Sequence, residues 1–205
     1  MMMTAFRFSI FAFTFLLVAA GLIGTGGNAA HAATKSDAQA FIERMADRGI
    51  GFLESHKGSP EKQRAAFRDL LRDNFDLGTI GRFAIGKYWR VATPQQRADY
   101  SRLFEIMIVR VYSERFASYN GQKLSIDGSK EISDTDTMVQ SRIIPTDNSS
   151  PVKVDWRVRK SGGTFKVVDI VVEGVSMSVT QRSDFSAVIE KGGGDVAVLI
   201  DHLRK

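Results

Sequence analysis

Residues 152–160 read VKVDWRVRK, and their alternating pattern decides the fold class. Apolar side chains stand at the even positions from Val152 to Val158, and charged side chains stand at the odd positions from Lys153 to Arg159. A two-residue period places successive side chains on opposite faces of a β-strand. The stretch therefore predicts a strand with one buried face and one basic, solvent-exposed face, as in an antiparallel sheet.

Three further strands are predicted around this one, over 123–132, 135–144 and 164–173. Ser161-Gly162-Gly163 provides a hairpin turn before the last of them. That last strand is apolar on both faces, which predicts a central position in the sheet. The second half of the chain is therefore expected to form a four-stranded antiparallel sheet.

The first half of the chain has the period of amphipathic helices, and this period returns near the C-terminus. Two starts are well marked: Ser59-Pro60, and Thr93-Pro94-Gln95-Gln96 with its capping-box glutamine. Helices are predicted over 36–53, from 60, from 77, over 93–119, over 182–190 and from 195 onward. The fold class is α+β, with several helices packed on one face of a curved four-stranded antiparallel sheet.

The N-terminal residues have the pattern of a secretory signal peptide. Arg7 precedes an uninterrupted apolar stretch over 8–23, and Ala30-His31-Ala32 matches a small-residue cleavage site. The alternative is a retained membrane anchor, for which this apolar stretch is short. We expect a cleaved signal peptide over 1–32 and a single domain over 33–205.

The chain is basic, with a formal net charge of +5 and a sequence pI near 9.6. Such a charge is typical of proteins that bind nucleic acid or anionic membranes. Because an exported protein rarely meets nucleic acid, the charge favours a membrane surface, an anionic lipid or an acidic partner. We predict no nucleic-acid partner.

Several kinds of chemistry are excluded or disfavoured. The chain has no cysteine, which excludes disulfides, a thiol nucleophile, iron–sulfur sites and a bacterial N-terminus lipidated on a cysteine after the signal peptide. Neither His56 nor His202 has a metal-ligating partner three or four residues away. The glycines at 192–194 lack the following G-K-[ST] of a phosphate loop and are typical of a helix end and linker. We therefore predict no metal, no cofactor and no catalytic residues.

Asp169 is the one acid that merits an alternative hypothesis, because it lies within an apolar strand. Burial of its carboxyl in a cone-shaped hydrophobic pocket of a small α+β enzyme would suit a general base. The other interpretation is that Asp169 bonds to neighbouring backbone or to an arginine.

The segment before the longest helix is rich in large apolar side chains. These residues either fill the core or line a gap between the helices and the curved sheet. They are Phe75, Ile80, Phe83, Ile85, Tyr88 and Trp89.

Two long motifs resemble those of a known family. Residues 75–90 fit the pattern F-D-x-x-x-I-x-R-F-x-x-G-x-Y-W-R within FDLGTIGRFAIGKYWRVATPQQRADYSRLFEIMIVRVY. Residues 167–193, VVDIVVEGVSMSVTQRSDFSAVIEKGG, contain the strand aspartate, E-G-V-S and R-S-x-F in order. Both resemble the MlaC/Ttg2D (toluene tolerance) family of periplasmic phospholipid-binding proteins. The wording of residues 174–185 is similar to its hopanoid-biosynthesis-associated branch.

This resemblance implies that 33–205 is an MlaC-like lipid-binding domain of a periplasmic carrier, with a lipid pocket between sheet and helices. The carrier would shuttle phospholipid, or a hopanoid-type lipid, within an ABC-type transport system that maintains outer-membrane lipid asymmetry. Its implied partners are an inner-membrane ABC transporter complex with an MCE-type subunit and an outer-membrane lipoprotein–porin complex. We expect Arg82 and Arg90 to serve the head group or docking. The predicted tail-lining residues are Tyr88, Trp89, Phe104, Ile108, Tyr112, Val139, Trp156, Val158 and Ile170.

Overall fold

The computed structural model of the protein describes residues 36–205. The predicted signal peptide over 1–32 lies outside the described residues. Within the described range, no helix is both long enough and apolar enough to cross a membrane.

The described residues form an α+β fold in which the helices come first, the strands follow, and two helices end the chain. The helices are α1 (Asp37–Ser55), α2 (Pro60–Asn74), α3 (Leu77–Ile85), α4 (Tyr88–Val91), α5 (Pro94–Ser113), α6 (Met177–Lys191) and α7 (Val196–Leu203), with a 3₁₀ turn at Phe116–Ser118. The strands are β1 (Lys123–Glu131), β2 (Asp136–Ile144), β3 (Val152–Ser161), β4 (Thr164–Val172) and β5 (Val175–Ser176).

The sheet is an antiparallel meander in which each strand pairs with the next, in the order β1-β2-β3-β4-β5. Val139 of β2 lies opposite Trp156 of β3, and Trp156 lies opposite Ile170 of β4. The α+β class and the four predicted strands are confirmed. The sheet also has a fifth strand of two residues, which is too short to give an alternating pattern.

The prediction that β4 is central is wrong, because among the described residues β4 pairs on that side only with the two-residue β5 and with an isolated bridge at Phe75. Its apolar character on both faces has another cause. Val167 packs against α1 and α2 residues on one side, whereas Asp169, on the opposite face, accepts a hydrogen bond from the first turn of α6. Helical elements cover parts of both faces of this strand.

Two helix boundaries differ from the sequence-based prediction by five or six residues. The fifth helix ends at Ser113, and the chain then forms the 3₁₀ turn, in which the ring of Phe116 packs edge-on against Phe52 and Phe67. The sixth helix begins at Met177, five residues before the predicted start, because the Ser176 hydroxyl accepts from the backbone of Val179. The apolar period therefore placed the end of α5 and the start of α6 too far along the chain.

Gly192 ends α6, and Gly193 and Gly194 follow with positive φ angles of 76° and 89°. A Cβ atom on Gly192 would lie 2.6 Å from Cγ2 of Val198 in α7. This close approach of the two helices requires glycine. The prediction of a helix end and linker here is confirmed.

Most of the buried apolar side chains form two separate clusters. The first, which we call the helical cluster, joins α3, α4, α5, α6 and α7 and is centred on Tyr100 and Phe104. The second, the sheet cluster, joins α1 and α2 to the inner face of the sheet. Its buried members are Ala38, Ile42, Met45, Leu70, Val139, Val158 and Val167.

Candidate functional site

The space between the sheet and α1–α2 is apolar at its centre. Ile42 of α1, Val139 of β2 and Val167 of β4 are fully buried there. α1 is held by a capping box at Ser36, whose hydroxyl also hydrogen-bonds to that of Ser129 in β1 at 2.9 Å. The sheet and the first helix thus form a fixed pair of facing surfaces.

Around this centre lies a margin of large apolar side chains that are only half-buried. Phe41 and Phe165 have ring centres 5.9 Å apart, and Phe52 and Phe67 both pack against Phe116. Side chains of this size normally bury most of their surface in a core. Their partial exposure at the junction between sheet and helices provides an apolar lining that remains accessible. The other half-buried members are Phe75, Leu124, Ile126, Trp156 and Ile170.

The polar groups of this lining are satisfied within the protein. The indole nitrogen of Trp156 donates to the hydroxyl of Ser141 at 3.0 Å, and that hydroxyl donates to the backbone oxygen of Val154. Buried polar atoms that already have partners do not need a hydrogen bond from a ligand. The lining is therefore suited to hydrocarbon and offers no directional recognition.

The structure separates the nine predicted tail-lining residues into groups. Val139, Trp156, Val158 and Ile170 come together in the sheet cluster. Tyr88, Trp89, Phe104 and Ile108 belong to the helical cluster, and Tyr112 belongs to neither. Their role in lining a lipid pocket stays a prediction.

The sequence-based prediction did not include the phenylalanines of α1 and α2 among the residues that line the lipid tails. Phe41 and Phe67 lie on apolar helical faces that the sequence shows, so their burial was predictable but their packing partners were not. Phe116 also lies on the apolar face of the long helix that the sequence predicts. It reaches this lining through the 3₁₀ turn that replaces the predicted end of α5, and the sequence did not indicate that turn.

A second feature is an open cleft of about 490 Å³ on the outer side of α3, α4 and α6. An adjoining cleft of about 420 Å³ shares Lys87 and Arg90 with it. Arg82 and Arg90, both predicted for head group or docking, line the larger cleft together. Its lining residues are Thr79, Arg82, Phe83, Gly86, Lys87, Trp89, Arg90 and Arg182.

Cations and aromatic rings alternate across this cleft. The Arg82 guanidinium lies 5.6 Å from the centre of the Trp89 ring, and that of Arg182 lies 5.2 Å from the Phe83 ring. Such distances permit cation–π attraction. Tyr88 and Glu190 raise the pKa of the Lys87 ammonium, whose nitrogen lies 3.5 Å from a Glu190 oxygen. The cleft is therefore cationic at neutral pH.

Asp169 serves the local fold. Its Oδ1 accepts from the backbone nitrogens of Ile170 and Ser178 at 2.9 and 3.1 Å, and its Oδ2 accepts from the Ser176 hydroxyl at 2.6 Å. The interpretation in which Asp169 bonds to neighbouring backbone is confirmed. Among residues 36–205, no three His, Asp or Glu side chains lie together as a metal site would require.

Replacing Asp169 with asparagine is expected to lower the free energy of unfolding by about 1–2 kcal/mol, since the amide supplies one acceptor where the carboxylate supplies two. Chemical denaturation measures this loss, and lipid content is expected to stay unchanged. A variant of unchanged stability would contradict the structural role. Turnover of a hydrophobic substrate that is lost in the variant would support the enzyme alternative.

Comparison with known proteins agrees with this architecture. The intermembrane phospholipid transport system binding protein MlaC of Haemophilus influenzae is 24% identical over 165 residues, which are 77% of each chain. The toluene tolerance protein ttg2D of Pseudomonas putida is 24% identical over 149 residues, covering 72% of this chain and 69% of that protein.

A solved structure has the same fold. The phospholipid-binding protein of Ralstonia solanacearum, determined in complex with a phospholipid, superposes with a TM-score of 0.71 at 28% identity. The match covers 82% of this chain and 96% of that one. The profile of the MlaC protein family matches residues 27–205, a range that contains every helix and strand described above. The chain therefore belongs to the MlaC protein family.

Proposed function

We propose that this protein binds and carries phospholipid, with the acyl chains held between the sheet and α1–α2. The observation that carries the proposal is the accessible apolar lining of the sheet cluster, where half-buried aromatic and aliphatic side chains surround a fully buried centre. A fold shared with a protein that was solved with a bound phospholipid supports it.

The energetics define how such a carrier must work. Burial of one methylene is worth about 0.8 kcal/mol, so two chains of about sixteen carbons represent about 25 kcal/mol relative to water. Release into water is therefore negligible. Transfer of the same chains from a bilayer to an apolar pocket is nearly neutral, because both environments are apolar. Loading and unloading then occur only when the carrier is docked, and the carrier itself needs no nucleotide.

We further propose that the carrier acts in the periplasm and exchanges lipid with an inner-membrane ABC transporter complex, through its MCE-type subunit, and with an outer-membrane lipoprotein–porin complex. The signal-peptide pattern over 1–32 supports export. The Haemophilus influenzae relative is named as the binding protein of an intermembrane phospholipid transport system, which supports this setting.

Native mass spectrometry of protein purified from an exporting host, followed by organic extraction, tests the proposal. We expect a stoichiometric adduct with the mass of a diacyl phospholipid. A hopanoid-type adduct would keep the carrier function and change the cargo. Protein that is empty as purified and takes up no phospholipid from vesicles would contradict it.

A further inference from the structure

The cationic cleft contains three arginines for which the described residues provide no carboxylate partner. The structure gives Arg82, Arg90 and Arg182 no ion pair with any residue in the range 36–205. Other arginines without an ion pair in this range, such as Arg44 and Arg110, do not line this cleft. These three side chains come from three different helices and converge on one cleft. Such a concentration of positive charge favours an anionic ligand.

The same surface exposes apolar groups. Val91 is 71% exposed and Phe83 is 42% exposed, and both belong to the short segment that carries Arg82 and Arg90. Trp89 lines the cleft between them. Exposed valine and phenylalanine side chains and a half-buried tryptophan, interleaved with arginine, are typical of surfaces that enter the head-group region of a bilayer.

The position of the cleft favours a bilayer over the head group of the carried lipid. None of its lining residues packs in the sheet cluster, where the acyl chains are proposed to lie, and Trp89 packs against the helical cluster instead. Lys87 and Arg90 each line two adjoining clefts. Because Lys87 and Arg90 are accessible from two clefts, they can contact the phosphates of several neighbouring lipid head groups.

We propose that the surface formed by Arg82, Phe83, Lys87, Arg90, Val91 and Arg182, which we call the basic face, docks the protein on an anionic lipid bilayer. The arginines and Lys87 contact lipid phosphates, while Phe83 and Val91 enter the interface. This inference rests on the proposed carrier function, because a bilayer that holds the protein brings it close to the membrane complexes with which it is proposed to exchange lipid.

Flotation with lipid vesicles tests the basic face directly. The protein is expected to bind vesicles that contain phosphatidylglycerol, to bind phosphatidylcholine vesicles weakly, and to lose binding as salt is raised. The double variant Arg82→Gln/Arg90→Gln is expected to lower the partition coefficient about 25-fold, since each cation near an anionic surface contributes about fivefold. The matched control is Arg44→Gln/Arg110→Gln, which removes the same charge from exposed positions on α1 and α5.

A fluorescence experiment reports on insertion. Trp89 and Trp156 are the two tryptophans of the chain, so Trp156→Phe leaves Trp89 as its only indole. Its emission is expected to shift to the blue when phosphatidylglycerol vesicles are added, and Val91→Ser is expected to weaken binding about threefold or more, as burial of valine surface is lost. Unchanged emission under conditions where the protein floats with vesicles would contradict docking through this face.

The outcomes separate docking from lipid carriage, because lipid content is measured on the same variants by native mass spectrometry. Equal loss of vesicle binding in the two double variants would show an effect of net charge alone and overturn the basic face. Loss of bound lipid with unchanged vesicle binding would make Arg82 and Arg90 head-group ligands and also overturn it. The absence of vesicle binding at low salt would overturn it in favour of an acidic protein partner. A protein that floats normally yet never contains lipid would contradict only the carrier function.

Discussion

Replacing Asp136 with alanine is expected to lower the free energy of unfolding by about 3 kcal/mol, a large fraction of the stability of a domain of this size. The side chain of Asp136 is only 1% exposed and stands between two arginines of the neighbouring strand. Arg159 donates two hydrogen bonds to it at 2.7 and 2.8 Å, and Arg157 donates one at 2.8 Å. Removing the carboxylate leaves two guanidinium groups side by side without their shared partner.

The matched control is Asp127→Ala. Asp127 is an exposed residue of β1, and both of its carboxylate oxygens accept hydrogen bonds from Arg142 of β2. We expect this change to cost less than about 1 kcal/mol, because solvent screens the pair. Urea denaturation of the two variants gives the comparison. Equal costs would show that the burial of Asp136 contributes nothing to stability.

The Asp136 contribution also has a defined pH dependence. Hydrogen bonds from Arg159 hold the pKa of the Asp136 carboxyl well below its usual value, against the opposite effect of burial. A carboxyl whose pKa is lower in the folded state binds fewer protons than it does in the unfolded state. Its contribution is therefore fully present above about pH 5 and is lost as the pH falls below about 4. Asp136→Ala is expected to flatten the acid limb of the stability curve.

The ion pairs of Asp136 with Arg157 and Arg159 illustrate what the sequence could not specify. The alternation in residues 152–160 correctly predicted a strand with Val154 and Val158 buried. The same pattern predicted a basic, solvent-exposed face, and this is only partly right, since Arg157 and Arg159 turn toward Asp136. Their pairing depends on the register that sets Asp136 opposite Arg159, and register is fixed by the whole sheet and its loops.

The helical segment over 75–90 shows a similar limit. Periodicity predicts that one face of a helix is buried, but it does not say against what. Ala84, Ile85 and Tyr88 are buried in the helical cluster, whereas Phe83 lies exposed at the cleft. The two interpretations of these apolar residues, core or gap, therefore apply to different residues of the same segment. Capping signals predicted the structure more reliably than periodicity did. The capping box at Thr93 and Gln96 depends only on residues close in sequence, and it forms as predicted.

The sheet cluster carries the second large prediction. Replacing Ile170 with tryptophan is expected to lower the affinity for phospholipid about two-hundredfold. Ile170 is half-buried on the inner face of β4, opposite Trp156, so an indole at this position extends into the space between the sheet and α1–α2. Displacing about four methylenes of an acyl chain costs about 3 kcal/mol, which corresponds to this loss of affinity.

The control for this change is Gln140→Trp, which places the same side chain at an exposed position on the outer face of β2, next to inward-facing Val139. Lipid content by native mass spectrometry and thermal unfolding are measured on both variants. If Ile170→Trp fails to fold, Ile126→Trp on β1 tests the same wall, because Ile126 is also half-buried against the sheet cluster. A folded wall variant that keeps full lipid content would exclude this space as the site of the acyl chains. Loss of lipid only in the wall variants would assign the tails to the sheet cluster, because the outer-face control shares the added indole and differs in its location.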